Sequence, residues 1–550
     1  MNSVIEQALI KQGIEPTIEI DPNANLVSLF EQAVANYGAS PAFSSLGQTL
    51  TFDEVYQCSL QFASYLQQQT GLQPGDRIAI QLPNLIQYPV ALYGAMMAGL
   101  VVVNTNPLYT PRELEHQLND SGAKAIVVLA NLGKTLEAAI ANTKVETVIV
   151  TELADLHSIG SRLLINWGAK YLKRMVPSLN VPNAMSFRKA LRLADAQAFK
   201  PVTIEQQQLA VLQYTGGTTG VAKGAMLSHR NLVSNVAQCQ AIFSGFGLDN
   251  QDETMISPLP LYHIYTFTIT NLLLMTGNHT VLIPNPRDIQ ALIADVKRYP
   301  MTLFCGINTL FVTLCNQSSF READFSNLKM TMSGGMALTA DAAKQWQAIT
   351  GKDIFQGYGL TETSPVVSAN PATGNQVNTI GLAVPSTEIK LVDEQGQAVA
   401  MGERGELCVR GPQVMAGYWQ RPEATAEVID ADGWFSTGDI AIMQDDGYLR
   451  IVDRKKDMII VSGFNVYPNE LEDVISQHPD IVECAAVGIP DEQTGEAIKI
   501  FLVAANPVTE ADLIAYCKQR LTGYKVPRRF EFRDDLPKSN VGKILRKDLR

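Results

Sequence analysis

Residues 214–229 read YTGGTTGVAKGAMLSH, and their first ten positions hold three glycines, three threonines and one lysine. Backbone N–H groups, hydroxyls and an ammonium are all donors suited to oxyanions, so phosphate is the chemistry this stretch points to. Where no Cβ intervenes, the backbone can approach a phosphoryl oxygen closely. The apolar run LAVLQ (209–213) precedes the stretch and the helix-like LSHRNLVSNVAQ (227–238) follows it, which predicts a loop between a strand and a helix. Neither common phosphate fingerprint fits. Val221 and Ala222 separate Gly220 from Lys223, whereas a P-loop lysine directly follows glycine; at NLGKT (131–135) Val128 stands where the leading glycine belongs; and no G-x-G-x-x-G is present. Phosphate binding by some other glycine–threonine loop, or a mobile turn, are the two readings left by the loop alone.

The elements around it have the texture of a layered enzyme. RIAIQL, VALYGAMMAGLVVVNT, PRELEHQLNDSGA, KAIVVLA and VETVIVTE alternate strand-like and helix-like runs, which predicts α/β layers on a largely parallel sheet. The longest apolar stretch, YPVALYGAMMAGLVVVN (88–104), is expected to be a buried helix running into a strand rather than a membrane span. From about residue 385, EIKLVDEQGQAV, GELCVRG and GWFSTGDIAIMQDDGYLRIVDRKKD read as antiparallel hairpins with acidic and glycine turns, a barrel-like part of the large domain. After DRKKD (453–457) a second alternation begins, giving expected bounds of 1–452 for a large N-terminal domain, 453–457 for a hinge and 458–550 for a small mobile α+β domain.

Composition narrows the function classes. With 550 residues, 46% hydrophobic, 18% charged and a formal charge of −12, the chain reads as a soluble multidomain enzyme; that charge argues against general nucleic-acid binding. MNSVIEQALIKQG lacks the pattern of a secretory signal, and the seven scattered cysteines form no C-x-x-C pair, so reduced cytosolic thiols are expected. The charge is uneven: residues 518–550 hold eleven Lys or Arg against four Asp or Glu, a basic lobe fit for an anionic ligand or simply a solvated face. Between 153 and 200, Arg162, Lys170, Lys173, Arg174, Arg188, Lys189 and Arg192 interleave with Leu163, Leu164, Ile165, Trp167, Tyr171 and Leu172. Two readings follow: helices with their apolar side on the core, the commoner arrangement, or peripheral contact with the inner face of a membrane.

Five stretches in one order carry a family resemblance: YTGGTTGVAKGAMLSH, QGYGLTET (356–363), GWFSTGDI (433–440), DRKKDMIIVSGFNVYPNELE (453–472) and LPKSNVGKILRKDLR (536–550). The chain resembles the adenylate-forming superfamily of acyl-CoA synthetases, luciferases and adenylation domains. VSGFNVYPNELEDVISQHP and LTGYKVPRRFEFRDDLPKSNVGKILR are similar to bacterial long-chain fatty-acid–CoA ligases. The resemblance implies ATP, coenzyme A and a long-chain fatty acid as substrates and Mg²⁺ as cofactor, with a homodimer left open.

Residue by residue, the resemblance implies that Thr215, Gly216, Gly217, Thr218, Thr219, Gly220 and Lys223 grip the β- and γ-phosphates, Thr218 among the catalytic groups. Gly335, Met336, Ala337, Gln356, Gly357 and Thr361 belong to the same ATP site, in which Tyr358 stacks on adenine and Gly359 admits the ring; a core tyrosine with a satisfied hydroxyl is the plainer alternative. Glu362 would bind Mg²⁺, since a hard cation already held by phosphate oxygens and waters needs only one carboxylate. Asp439 and Arg454 would hold the ribose hydroxyls, Lys543 would bridge the fatty carboxylate and α-phosphate, Lys456 would be the pivot, and Gly463 would line the channel for the pantetheine arm. An Asx-capping role for Asp439 and an exposed tail position for Lys543 are the bland counterparts.

For the acid, LPLYHIYTF (259–267), CGINTLF (305–311), SGGMAL (333–338) and SPVVS (364–368) correspond to the acyl region, with His263, Gly306, Gly334 and Val366 as pocket candidates. No Asp stands in YHIYTF to pair with an amino group, which counts against an amino-acid substrate. An aryl or medium-chain acid, transfer to a carrier protein, or a silent nucleotide- or lipid-binding relative are the competing readings.

Overall fold

The computed structural model describes residues 1–215, 222–248, 251–462, 464–491, 493–539 and 542–550, and counts refer to these. Two parallel-dominated sheets build the large part. One has seven strands in the order Met185–Ser186, Thr147–Thr151, Ala123–Leu129, Arg77–Gln81, Val101–Asn104, Leu209–Thr215, Lys223–Ser228, all parallel except the last pair. The other has nine, running from Leu382–Ala383 through Val366–Ala369, Ile354–Gly359, Met330–Ser333, Leu303–Gly306, Thr254–Ser257 and His279–Leu282 to the hairpin Pro41–Ser45 and Gln48–Thr51.

Between them lie helices that are apolar all round, as burial on every side requires. All eleven residues of Gln87–Met97 are buried, and eleven of the twelve in Ile264–Met275. The expected helix-into-strand reading of 88–104 therefore holds, the strand being Val101–Asn104. Phe30 stacks on Tyr93 at 4.1 Å between ring centroids, and the Tyr93 hydroxyl donates to Asn271 Oδ1 at 2.9 Å, one buried polar pair that joins the two helices.

The hairpins expected after residue 385 form a four-stranded antiparallel sheet, Glu388–Val392, Arg404–Arg410, Phe435–Met443 and Leu449–Arg454. The chain then turns through Lys455–Asp457 and enters a five-stranded sheet, in which Ile459–Val461 and the long hairpin Ile481–Asp491 and Gly495–Ala504 carry the helices Pro468–Ser476 and Glu510–Lys518. This sheet has its own apolar core around Leu471, Ile475, Ile500, Leu502 and Leu513.

The helix-on-core reading of 153–200 holds for one element and fails for the other. Helix Phe187–Leu193 buries Phe187, Ala190 and Leu191, whereas helix Ile159–Trp167 buries no residue and turns its large apolar side chains outward. Among the described residues no helix is long and apolar enough to cross a membrane, and all seven cysteines are free.

Candidate active site

The strand Leu209–Thr215 lies next to the edge strand of its sheet and delivers Thr215 to the edge of a deep cleft; six undescribed residues later the chain returns antiparallel as Lys223–Ser228, with Thr215 opposite Lys223. The helix predicted to follow begins only at His229, so a short strand stands between loop and helix. Gly216, Gly217, Thr218, Thr219 and Gly220 lie outside the described residues, as does Gly463.

Opposite that edge, Gln356, Gly357, Tyr358 and Gly359 end the strand Ile354–Gly359 and line the same cleft, followed by Thr361 and Glu362; Gly335, Met336 and Ala337 join them from the end of Met330–Ser333. Gly359 is required for a reason other than admitting a ring. A Cβ there would lie 2.0 Å from the Pro365 carbonyl oxygen, so the chain's own return through Pro365 excludes any side chain. The Tyr358 hydroxyl donates to Asp439 Oδ2 at 2.5 Å, and burial, then the Asp439 charge, push its pKa well up, so it remains a donor. Asp439 and Arg454 are register partners across two antiparallel strands, with Arg454 Nε 3.2 Å from Asp439 Oδ1. Asp439 is 3% exposed and is not a capping residue of the turn alone. The nucleoside-side candidates thus form one row, Tyr358 hydrogen-bonded to Asp439 and Asp439 ion-paired with Arg454.

Lys543 reaches the cleft from the other sheet. On either side of the undescribed 540–541 the chain is tied together: Leu545 N donates to Pro537 O at 2.8 Å, Ser539 N donates to Lys543 O at 2.7 Å, and Lys543 N donates to Ser539 Oγ at 3.1 Å. Gly542 takes φ +78° and approaches so closely that a Cβ would meet Ile307 Cδ1 and Thr309 Oγ1, both at 2.8 Å. That contact seats the turn on the large part and puts Lys543 among the lining residues with Asp439, Arg454 and Lys456. Burial, then the Arg454 charge, lower the Lys543 pKa to about 8.

On the acyl side, His263, Gly334 and Val366 line the cleft; Gly306 does not, because its bare Cα faces Phe311, whose Cζ would lie 2.8 Å from a Cβ. His263 caps helix Ile264–Met275 through Nδ1, which accepts from Tyr265 N at 3.3 Å, and burial lowers its pKa to about 4. The neutral ring therefore carries its proton on Nε2, which has no hydrogen-bond partner among the described residues. Asn84 fixes the preceding loop, donating to Ser257 O and Leu259 O and accepting from Leu261 N. A small cavity lined by Phe243, Leu248, Ile269, Leu272, Leu303 and Met330 lies beyond Phe243, which also lines the cleft.

Three comparisons with known proteins bear on this arrangement. Residues 30–419 match the model of the AMP-binding enzyme family, and residues 470–543 that of the AMP-binding enzyme C-terminal domain. The chain belongs to the AMP-binding enzyme family. A long-chain-fatty-acid–CoA ligase of Escherichia coli O157:H7 is 53% identical to it over 97% of this chain and 95% of that one. Among solved structures, an anthranilate CoA ligase in complex with anthranoyl-AMP superposes with a TM-score of 0.85 at 24% identity, covering 96% and 97% of the two chains, and shows the shared fold. The ATP-bound MatB of Rhodopseudomonas palustris is 28% identical, with a TM-score of 0.81 over 96% and 98%. The mixed α/β fold with a smaller C-terminal part is that of an AMP-binding enzyme.

Three residues of this AMP-binding enzyme's site escaped the sequence reading. Tyr418 donates to Glu362 Oε1 at 2.7 Å, its ring 5.1 Å from Lys223 Nζ. The segment carrying it is stitched to both neighbours, Met226 N to Gly417 O at 2.9 Å and Met415 N to Glu362 O at 2.8 Å. Its one sequence signal is the aromatic pair Tyr418–Trp419 after a glycine. Arg546 bonds Glu472 through Nε (2.9 Å) and Nη2 (2.6 Å) and reaches Asp453 Oδ1 at 3.2 Å and Asp457 Oδ2 at 3.5 Å, clamping the tail, helix Pro468–Ser476 and the linking turn together. Phe243 was not singled out because it reads as ordinary core. Glu362 fits a divalent cation: Oε1 is held by Tyr418, and Oε2 has no hydrogen-bond partner among the described residues, leaving one hard oxygen toward the cleft.

Proposed function

We infer that this AMP-binding enzyme activates a long-chain fatty acid with ATP and passes the acyl group to coenzyme A, releasing AMP and pyrophosphate. The observation that carries the reading is the seating of Gly542 on Ile307 and Thr309, which brings Lys543 to the cleft that also holds Asp439, Arg454, Tyr358 and Glu362. Half-identity with ligases of that name over nearly the whole chain supports the substrate class.

In the first half-reaction a carboxylate oxygen bonds to the α-phosphorus, and the bond from that phosphorus to the oxygen bridging the β-phosphate breaks. Nucleophile and electrophile are both anionic, so the protein's work is neutralising charge and fixing the in-line angle. The Lys543 ammonium stands between carboxylate and α-phosphate; Lys223, Thr215 and the loop 216–220, Thr218 among them, take the departing phosphates; Tyr358 packs on adenine; and Asp439, braced by Arg454, accepts from the ribose hydroxyls. Neutral His263 offers Nε2–H to the acid. Glu362 would hold Mg²⁺, which supplies further neutralisation of the triphosphate when bound. In the second half-reaction the CoA sulfur bonds to the acyl carbon, the carbon–oxygen bond to phosphate breaks, AMP leaves and the thiol proton passes to solvent. Lys543 has no part in that chemistry, so residues 458–550 turn about Lys456 and bring Gly463 toward the thiol channel.

The test is pyrophosphate release and thioester formation over acids of increasing length, with Lys543→Ala alongside. Rising kcat/KM with chain length, and a variant that loses adenylation yet converts supplied acyl-AMP, are expected. A flat response to length sinks the fatty-acid assignment, and equal loss in both half-reactions sinks the role of Lys543.

A further inference from the structure

Residues 156–194 contain seven Lys or Arg and no Asp or Glu, in a chain of formal charge −12. Within them helix Ile159–Trp167 continues as the wider turn Gly168–Leu172. It touches the body through Asn166, whose Oδ1 accepts from Ala154 N at 2.9 Å, and through buried Ala169. Away from that contact Ile159, Leu163, Leu164, Trp167, Tyr171 and Leu172 are 52–71% exposed. Positions 159, 163 and 167 recur every four residues and so share one side of the helix. An apolar face this continuous, left in water and rimmed by charge, marks an interaction surface.

The charge around it selects the occupant. Arg162, Lys170, Lys173 and Arg174 lie on the segment itself, and helix Phe187–Leu193, anchored by its buried Phe187 and Leu191, adds Arg188, Lys189 and Arg192. Arg162 and Arg192 are like-charged neighbours of Arg188, so the two groups of bases meet. A second copy docking here by two-fold symmetry would set this acid-free segment against itself, with cation facing cation. An anionic bilayer instead accepts both components, the apolar side chains beneath the headgroups and the bases on their phosphates. Trp167 and Tyr171, 6.1 Å apart between ring centroids, are residue types that favour that depth. None of these residues lines the cleft.

We propose that the helix and turn 159–172 form a lipid-docking surface, lying in the plane of an anionic bilayer with Leu163, Leu164 and Trp167 immersed and the neighbouring bases on lipid phosphates. The surface is independent of which acid the enzyme activates. The full chain, sedimented with phosphatidylglycerol–phosphatidylcholine vesicles, is expected to partition on the order of tenfold more strongly than with phosphatidylcholine alone, and to be released by salt. Leu163→Glu/Leu164→Glu lowers that partition about tenfold or more, and Lys170→Gln/Lys173→Gln/Arg174→Gln weakens its salt dependence, while turnover of a water-soluble acid and the melting temperature stay at wild-type values. Trp167 emission shifts to the blue on binding, a change absent in Trp167→Phe. Wild-type protein that ignores anionic vesicles, a Glu double variant that pellets like wild type, or substitutions that alter only the mass in sedimentation equilibrium would each overturn the proposal, the last by making the face a contact between copies.

Discussion

The hydroxyl of Tyr418 donates to Oε1 of Glu362 at 2.7 Å while the same ring sits 5.1 Å from the Lys223 ammonium, so one side chain links the metal-binding candidate to the end of the candidate phosphate loop. Burial, then Glu362, raise the Tyr418 pKa, which keeps its proton in place for donation. Tyr418→Phe retains the ring and frees the carboxylate. A hydrogen bond to a charged group contributes about 1.5–3 kcal/mol, on the order of ten- to hundredfold in kcat/KM for magnesium–ATP. The loss should appear as a higher Mg²⁺ requirement, and Mn²⁺ binding followed by magnetic resonance should weaken in parallel. Unchanged metal affinity would show that Tyr418 only packs.

Lys543, with its pKa lowered to about 8, titrates near neutrality in the unliganded protein. The unfolded chain holds that proton up to the ordinary lysine range of about 10.4, so the folded state binds fewer protons between the two values and stability rises with pH across that window. ATP phosphates favour the ammonium and move the titration upward. Amine acylation at Lys543, read by peptide mass spectrometry, should be half-maximal near pH 8 without ATP and about one unit or more higher with it. Coincident curves would remove Lys543 from the phosphates.

Arg546 is the buried cation of an acidic cluster. Its removal leaves Asp453 and Glu472 without their shared partner, a cost of about 3–5 kcal/mol. Arg546→Met should therefore lower the melting temperature, and should depress adenylation more than thioester formation from supplied acyl-AMP. Burial already raises Asp453 to about 6. Its neutral form needs no cation, so the stability gap between variant and wild type should narrow as pH falls from neutral through that value. Calorimetry at several pH values decides it; a gap that widens in acid contradicts the cluster.

Phe243 separates the cleft from the small apolar cavity behind it. Phe243→Leu should join the two and raise kcat/KM for longer acids relative to shorter ones. Each further buried methylene is worth about 0.8 kcal/mol, roughly fourfold. A profile that keeps its shape while falling everywhere would mean damaged packing rather than a longer channel.

Much of this was legible along the chain. Alternating apolar runs marked the layers, and the turn at 455–457 falls where one sheet ends and another begins. The family resemblance carried by GYG, STGD and DRKKD implied one site for Tyr358, Asp439 and Arg454; in the fold Asp439 and Arg454 are cross-strand partners. Gly306 was misplaced because a glycine in an apolar run does not say which neighbour needs the room; here it is Phe311. Tyr418 escaped because its partner stands 56 residues away and nothing in the intervening pattern joins them.

By itself the sequence determined which groups are available: periodicity and turn residues are local physics, and ordered motifs identify the chemistry they serve. Tertiary structure alone decided which groups meet. Gly542 against Ile307, Arg546 within its acids and the outward side of helix 159–167 all depend on contacts whose free energy exists only after distant segments have packed. An amphipathic pattern states that a helix has an apolar side, but only the surrounding fold settles whether a core is there to cover it.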